Sequence, residues 1–309
     1  MNYTLHQLYI FSEIVNQKSI TKAAEALFLT QPAVSIQLKK FQEQFPLPLT
    51  EVIGRQLYIT PFGEEIAITA KRILDEAQQM DYKVSLYQGK LAGKLSISVV
   101  STGKYVMPYY LSDFVNQHEK IDFTMDVTNK QKVVNDLEEN KVDFALVSVL
   151  PDHIKLETLP LLDNELYLVG SSERENKRTC ATKEIFEKLP LLFREKGSAT
   201  RNAMEEFLNK KNFATTKKIE LTSNEALKQA VIAGLGYSIM PLIGITTAVN
   251  RGDITIIPFK GLPIKTTWNL VWLKNKKLSP VADAFLEHLK ANKSEIKNKY
   301  FQIPLEIKN

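Results

Sequence analysis

The first 45 residues of the chain repeat apolar side chains with the spacing of an α-helix. Three segments follow one another closely, and each places its apolar positions three and four residues apart, on one helical face: Leu8, Phe11 and Val15; Ile20, Ala23, Ala24 and Leu27; Val34, Leu38, Phe41 and Phe45. Ser19 and Thr30 precede the second and third segments, where a hydroxyl can cap a helix. The pattern therefore predicts three short helices joined by tight turns.

The third segment also carries a polar face, formed by Gln31, Ser35, Lys39 and Gln42. Such side chains near the start of a helix can reach base edges and phosphates in a DNA major groove. An ordinary solvated face is the alternative, and the pattern alone leaves both open. Residues 52–59 then alternate around Gly54 and Arg55, which predicts a hairpin with an arginine at its tip. An arginine there suits a wing that reaches a minor groove or a phosphate, so this order of elements favours DNA binding.

A long helix is predicted after Thr60, because Pro61 suits a first helical position and Glu64 suits the positive end of the helix dipole. Along it, apolar residues alternate at spacings of four and three, as in the seam of a coiled coil. We assign dimerisation to this seam: Ile66, Ala70, Ile73, Ala77, Met80 and Val84. Packing of the seam against the chain's own core is the alternative. Gly89 and Gly93 follow and mark a domain boundary.

From residue 95 onward strands and helices alternate, which predicts an α/β domain with mostly parallel strands. The predicted strands cover residues 95–100, 123–127, 144–149, 166–169, 191–193, 219–221, 238–240, 254–258 and 268–273. Helices are predicted between them, for example at residues 107–117, 131–140, 200–210 and 224–233. The glycines of residues 234–237 follow a helix and precede a strand, the reverse of a dinucleotide-binding loop. No convincing catalytic triad accompanies these elements.

Hydroxyl-rich turns recur where a strand gives way to a helix, at residues 101–104, 194–201 and 222–224. Helix starts offer free N–H donors and a partial positive charge, although for any one such turn a simple helix cap is the better explanation. In a doubly wound domain the strand ends converge on one crevice, and an arginine fork there suits a carboxylate, sulfate or phosphate. We therefore assign effector binding to Ser101, Thr102, Lys104, Ser148, Arg194 and Ser198.

The composition narrows the class of protein. With 309 residues, 44% hydrophobic and 24% charged, the chain fits two or three globular domains. The lone Cys180 excludes an internal disulfide and a cysteine-rich zinc site, and the four histidines are scattered, so we expect no metal and no cofactor. Short apolar runs and a start without signal-peptide features predict a cytoplasmic protein with no membrane partner. The net charge of +5 says little about DNA, because residues 1–60 hold five basic and four acidic side chains.

Three stretches resemble the signature of the LysR-type transcriptional regulators: SITKAAEAL at 19–27, TQPAVSIQLK at 30–39 and TPFG at 60–63. The resemblance extends over essentially the whole chain. Residues 194–201 are similar to a Gly-Ser-Gly-Thr-Arg stretch of several members, with Ala199 replacing the second glycine, and residues 223–226 and 233–236 also match. Members often have a basic residue where this chain has Ile36, and Leu-Phe-x-Arg where it has residues 49–52.

The resemblance implies an all-α winged helix-turn-helix domain at residues 1–60 and a linker and dimerisation helix at 61–92. It also implies an effector domain at 93–300, built from two α/β lobes like those of periplasmic binding proteins, and a tail at 301–309. Lobe I would take residues 93–163 and 266–300, and lobe II residues 164–265. The ligand would lie between the lobes.

The function implied is that of a sequence-specific regulator switched by a small anionic metabolite. It would bind double-stranded promoter DNA through Thr30, Gln31, Pro32, Ser35, Lys39 and Arg55, as a dimer of dimers. Members of the branch that the chain resembles regulate carbon fixation and sulfur assimilation. An enzyme on a two-lobed fold is the alternative, but no positioned acid, base or nucleophile stands out. A solute-binding transport protein would need a secretory signal and would not carry residues 1–60.

Overall fold

The chain folds into two compact units, Met1–Lys90 and Leu91–Asn309. A computed structural model describes residues 2–54, 56–151, 153–175 and 183–302, so Arg55, Cys180 and most of the expected tail lie outside the described residues. We call residues 1–90 the N-terminal unit and residues 91–309 the C-terminal unit.

The N-terminal unit has the predicted helices, hairpin and long helix. Their bounds are α1 Leu5–Gln17, α2 Ile20–Ala26, α3 Gln31–Gln42, β1 Thr50–Ile53, β2 Gln56–Ile59 and α4 Pro61–Tyr87. The Ser19 hydroxyl caps α2 by accepting from the amide of Lys22, as expected. Thr30 occupies the cap position of α3, but its side chain makes no capping hydrogen bond. The hydroxyl of Thr30 is therefore not used to start the helix.

One core holds these helices together. The apolar faces predicted for α1, α2 and α3 are buried or partly buried in this core, and Ala23 and Ala24 are small enough to let α2 lie close to its neighbours. Gln42, expected on the polar face of α3, instead accepts hydrogen bonds from the amide and hydroxyl of Thr50, both at 3.0 Å. Gln42 thus ties the hairpin to α3 through its Oε1 atom, so its carbonyl oxygen is already used within the chain, a correction to the predicted face.

The junction between hairpin and α4 explains the TPFG motif. The Thr60 hydroxyl accepts from the amide of Gly63 at 2.9 Å and donates to the carbonyl of Pro48 at 2.7 Å. A Cβ on residue 63 would lie only 2.1 Å from the carbonyl oxygen of Leu49, so only glycine lets the first turn of α4 pack against the chain before β1.

The C-terminal unit alternates strands and helices, which confirms the predicted α/β class, but its described strand pairs are not mostly parallel as expected, because every pair that involves β6 or β11 is antiparallel. Its strands are β3 Gly93–Val100, β4 Ile121–Thr128, β5 Phe144–Val147, β6 Leu156–Ser171, β7 Leu191–Arg194, β8 Lys218–Leu221, β9 Ser238–Pro241, β10 Ile254–Ile256 and β11 Ile264–Leu273. Its helices are α5 Met107–Gln117, α6 Lys130–Glu138, α7 Ser172–Glu175, α8 Glu184–Lys188, α9 Ala199–Lys210, α10 Asn224–Ile232, α11 Leu242–Asn250 and α12 Pro280–Tyr300.

Two long antiparallel strands, β6 and β11, run through both halves of this unit and pair along their whole shared length. In the described residues one curled sheet has the order β10-β6-β11-β5-β3-β4, and β9 also pairs with β6. One half, lobe I, packs around β3, β5, α5 and α12, with Trp268 and Phe285 fully buried. The other half, lobe II, has cores around α8 and α9 and around α10 and α11. The strands β6 and β11 join the two lobes, and the facing sides of the lobes form a cleft.

Candidate functional site

The exposed face of α3 is the candidate DNA-binding surface. Gln31 and Lys39 are exposed and Ser35 is half-buried, each one turn after the last. Within the described part of the chain, no side-chain hydrogen bond or ion pair engages any of the three. Thr30 and Pro32 are exposed at the start of the same helix, and Ile36 is exposed beside them. The face is thus free to make polar contacts outside the chain.

The seam predicted along α4 divides into two parts. Ala70 is buried in the core of the N-terminal unit and Ile66 packs against that core, because α1 lies along the first half of α4. Ile66 and Ala70 therefore pack within the chain and not, as expected, against a second chain. Further along the helix Ala77 is half-buried, while the others have no such cover: Ile73, Met80 and Val84 are 37%, 62% and 57% exposed.

A groove of about 900 Å³ runs between α1 and α4 on this exposed side. Apolar side chains of both helices line it, among them Leu5 and Tyr9 from α1, and Ile68, Leu74 and Met80 from α4. Lys71 and Asp75 stand at its border. The groove is large and apolar enough to take the side chains of a second helix.

In the C-terminal unit, Ser101 stands at the meeting point of the lobes. It follows β3 of lobe I, and its hydroxyl oxygen accepts from Nη2 of Arg194 at 3.1 Å and from Nδ2 of Asn224 at 3.4 Å. Arg194 ends β7 and Asn224 begins α10, both in lobe II. Two predicted residues, Ser101 and Arg194, are therefore in direct contact. Asn224 was not among the predicted site residues, although it lies in one of the hydroxyl-rich turns.

The guanidinium of Arg194 is almost completely buried, with 1% of its side chain exposed. Its Nε and Nη2 atoms donate to the two carboxylate oxygens of Glu195, each at 2.8 Å. Among the described residues its Nη1 atom has no hydrogen-bond partner, and neither has Oδ1 of Asn224. Glu195 therefore already pairs with the cation that was assigned to the ligand. One N–H edge of Arg194 remains unused.

Three further predicted cleft residues carry hydroxyl groups. Thr102 and Ser198 are buried at the starts of a short 3-10 turn and of α9, and neither side chain caps its helix. The amide of Ser198 donates to the carbonyl of Glu195 at 3.2 Å. Ser148 follows β5 and is half-buried. The hydroxyls of Thr102 and Ser198 are thus left for other partners.

Lys104 was assigned to the effector. Its ammonium lies 5.0 Å from the ring centre of Tyr105. Burial raises the pKa of the Tyr105 hydroxyl, and the negative charge of Glu225 raises it further. A Cβ on Gly244 of α11 would lie 3.3 Å from the Tyr105 ring, so lobe I touches lobe II here as well. Neither Tyr105 nor Gly244 was among the predicted site residues.

A cavity of about 540 Å³ is lined by residues of both lobes. Lys130 and Val149 line it from lobe I, and Ala199, Asn202 and Phe207 line it from lobe II. None of the six predicted effector residues lines this cavity, although its lining residues Val149 and Ala199 directly follow Ser148 and Ser198 in the sequence. A cavity of this volume has room for a small metabolite.

A helical head with a hairpin wing, followed by a two-lobed domain with a polar cleft, defines a ligand-responsive DNA-binding regulator. A family model described as "Bacterial regulatory helix-turn-helix protein, lysR family" matches residues 5–64, and one described as "LysR substrate binding domain" matches residues 88–294. The chain is 35% identical to the HTH-type transcriptional activator CmpR of Synechocystis sp., over 94% of this chain and 96% of the relative. It is 33% identical to a RuBisCO operon transcriptional regulator of Allochromatium vinosum, over 93% and 95%.

Solved structures agree with this assignment. The regulatory domain of Synechocystis CcmR, in complex with 2-PG, is 30% identical with a TM-score of 0.61, and the match covers 65% of this chain and 97% of that one. Full-length CbnR complexed with its target DNA has a TM-score of 0.70 at 20% identity, over 94% and 99%, and shows the shared fold. The chain belongs to the LysR family of transcriptional regulators.

The enzyme alternative finds no support, because the relatives from Synechocystis and Allochromatium are named as regulators. In the part of the chain that the structure describes, no helix is long and apolar enough to cross a bilayer.

Proposed function

We propose that this regulator binds operator DNA through α3 and responds to a small anion held between the lobes of its C-terminal unit. The observation that carries the ligand proposal is the buried Arg194, whose Nη1 atom has no partner among the described residues. An unsatisfied buried donor costs about 1–3 kcal/mol, so a ligand oxygen that accepts from it would stabilise this arrangement.

The second donor in the cleft is the Ser101 hydroxyl. Its oxygen already accepts from Arg194 and Asn224, so its own proton is left to be donated. Thr102 and Ser198, both buried and without capping bonds, add further hydroxyls. Donors that converge in a dry cleft favour the acceptor oxygens of a carboxylate, sulfate or phosphate. Lys104 adds positive charge at the same end of lobe I.

The complex of the CcmR regulatory domain with 2-PG supports a small ligand in a related domain. We propose Ser101, Thr102, Arg194 and Ser198 as the ligand's direct partners, with Ser148 and Lys104 at the edge of the cleft. The cavity of about 540 Å³ would take the remainder of the molecule.

For DNA, we propose that Gln31, Ser35 and Lys39 enter the major groove, with Thr30 and Pro32 at the start of the helix and Arg55 on the wing. The free polar face of α3 supports this assignment. We further propose that the exposed part of the α4 seam joins two chains, that two such dimers associate, and that the protein acts in the cytoplasm. The proposed domain limits stay at residues 60, 92 and 300.

Calorimetric titration of the full-length protein tests the ligand proposal. The probes are 2-PG, inorganic phosphate, sulfate and a panel of small carboxylates. The substitution Thr102→Val keeps the side-chain shape and removes the hydroxyl, so it should abolish or strongly weaken anion binding while sparing operator binding. The proposal fails if no anion binds, or if Thr102→Val binds the same anion with wild-type affinity.

A further inference from the structure

Phe28, between α2 and α3, has the most exposed large apolar side chain of the described residues, at 96%. It directly follows the last turn of α2. Its amide donates to the carbonyl of Glu25 at 3.1 Å, and the amide of Leu29 donates to the carbonyl of Ala24 at 2.9 Å. These two hydrogen bonds form a Schellman motif, which ends a helix with one residue in the left-handed conformation. Phe28 is that residue.

A left-handed backbone is unfavourable for phenylalanine, because its Cβ crowds the following carbonyl. Phe28 has a φ of +54°, and the other described non-glycine residues with positive φ are Lys18, Asn140, Asn212 and Asn275. Asparagine tolerates this conformation well. The aromatic ring recovers none of the backbone cost inside the chain, because it is exposed. The residue is thus poorly suited to its turn and well placed for a contact outside the chain.

The location of Phe28 indicates which contact this is. It lies two residues before Thr30, the cap position of α3, and three before Gln31. In a helix-turn-helix the start of the recognition helix enters the major groove and the preceding helix crosses the backbone, so the turn between them meets the groove edge. We infer that Phe28 packs its ring on the operator duplex, against deoxyribose and thymine methyl groups at that edge. This inference rests on the proposed role of α3.

A ring contact of this kind differs from a phosphate contact in one measurable way. It buries apolar surface but releases no counterions, so it adds affinity without adding to the salt dependence of binding. Thymine presents its methyl group in the major groove, so the contact also prefers a thymine at the groove edge.

The test uses the full-length protein and its operator. Phe28→Asn removes the ring and gives the turn a residue that accepts its conformation. It should raise the midpoint of thermal unfolding by a few degrees while weakening operator binding about tenfold, the effect of losing about 1.4 kcal/mol of apolar burial. The slope of log Kd against log salt should stay unchanged. Phe28→Tyr keeps the ring and should bind within about twofold of wild type, without the gain in unfolding midpoint.

Wild-type affinity of Phe28→Asn would overturn the inference, because the ring would then not touch DNA. A fall in affinity together with a flatter salt slope would also overturn it, since α3 itself would have moved. A changed sedimentation coefficient with unchanged DNA binding would assign the ring to a second copy of the chain. Ser35→Ala separates the two proposals: if it has no effect on operator binding either, the proposed role of α3 fails, whereas failure of Phe28→Asn alone leaves that role intact.

Discussion

Arg194 brings together the two requirements of the ligand cleft, a buried charge and a link between lobes. Glu195 balances its guanidinium with two hydrogen bonds of 2.8 Å, and Ser101 of lobe I receives a third. A buried cation without a partner is strongly destabilising, so the adjacent glutamate makes the site tolerable when empty. The same carboxylate opposes an incoming anion. Glu195 should therefore stabilise the free protein and lower its affinity for the anion.

The substitution Glu195→Gln tests this balance. Without the carboxylate the Arg194 charge is uncompensated, so the midpoint of thermal unfolding should fall in the absence of ligand. Anion affinity, measured by calorimetry, should rise several-fold, because the ligand no longer faces a like charge. Glu205→Gln removes a more exposed carboxylate that pairs with Arg201 and serves as the control. Weaker anion binding by Glu195→Gln would show that the carboxylate helps to hold the ligand rather than compete with it.

Ser35 and Lys39 should affect DNA binding in different ways, although they lie one turn apart on α3. Ser35→Ala removes a polar contact to a base edge and should weaken binding to the operator by about 1–3 kcal/mol, with little effect on unrelated DNA. Lys39→Ala should also weaken operator binding. In addition it should flatten the slope of log Kd against log salt concentration, because a lysine ammonium can neutralise a phosphate. Fluorescence anisotropy with operator and scrambled duplexes measures both effects. Equal losses on the two duplexes for Ser35→Ala would contradict its role in base reading.

At the scale of elements, α4 serves two structural purposes along its length. Its first half completes the core of the N-terminal unit, where Ala70 is fully buried. Its second half carries the exposed apolar side chains Met80 and Val84, and Met80 also lines the groove beside α1. An exposed apolar stripe on a long helix favours association with another helix.

The substitution Met80→Asp would place a charge in the proposed dimer seam without disturbing the core of the unit, because Met80 is 62% exposed. Burying an unpaired carboxylate is costly, so analytical ultracentrifugation should show smaller species, and operator binding should weaken. Gln79→Asp adds the same charge at an exposed neighbouring position outside the groove and should leave the mass unchanged. A wild-type mass for Met80→Asp would contradict the assignment of this seam.

Elements with a regular period of apolar positions could be predicted from the sequence, whereas an element interrupted by a local exception could not. The helices of the N-terminal unit follow a clear period of apolar positions, and α2 and α3 begin directly after the predicted cap residues Ser19 and Thr30. The first half of β6 was missed because Pro160 interrupts it. Proline is accepted there because this half of β6 pairs only with β11, at the bulge next to Asn269, and so forms a sheet edge.

Side-chain partnerships were the least predictable part of the candidate sites. The hydroxyl-rich turns indicated Ser101 and Arg194, and the structure brings these two together. That Glu195 would bind the neighbouring Arg194, or that Gln42 would bind Thr50, depends on rotamers set by tertiary packing. Sequence spacing determines which residues share a face or a strand end, but it does not determine which of their atoms already have partners.

In the whole molecule, ligand binding in one unit must change DNA binding by the other. A ligand can shift a conformational equilibrium only by as much as its affinities for the two states differ. Ser101, Arg194 and Asn224 provide a structural basis for such a difference, because their contacts cross between lobes and would weaken if the cleft opened. By linkage, the effect must be reciprocal: the operator changes anion affinity by the same factor.

The most direct test is the operator affinity of the full-length protein, measured by fluorescence anisotropy with and without a saturating concentration of the tightest-binding anion. The account predicts a change in Kd of at least about fivefold for the wild type, corresponding to about 1 kcal/mol of coupling, and no change for Thr102→Val. An equal change in anion affinity should accompany the addition of operator. An unchanged operator Kd for the wild type at saturating anion, or an undiminished response in Thr102→Val, would contradict the claim that the cleft controls DNA binding.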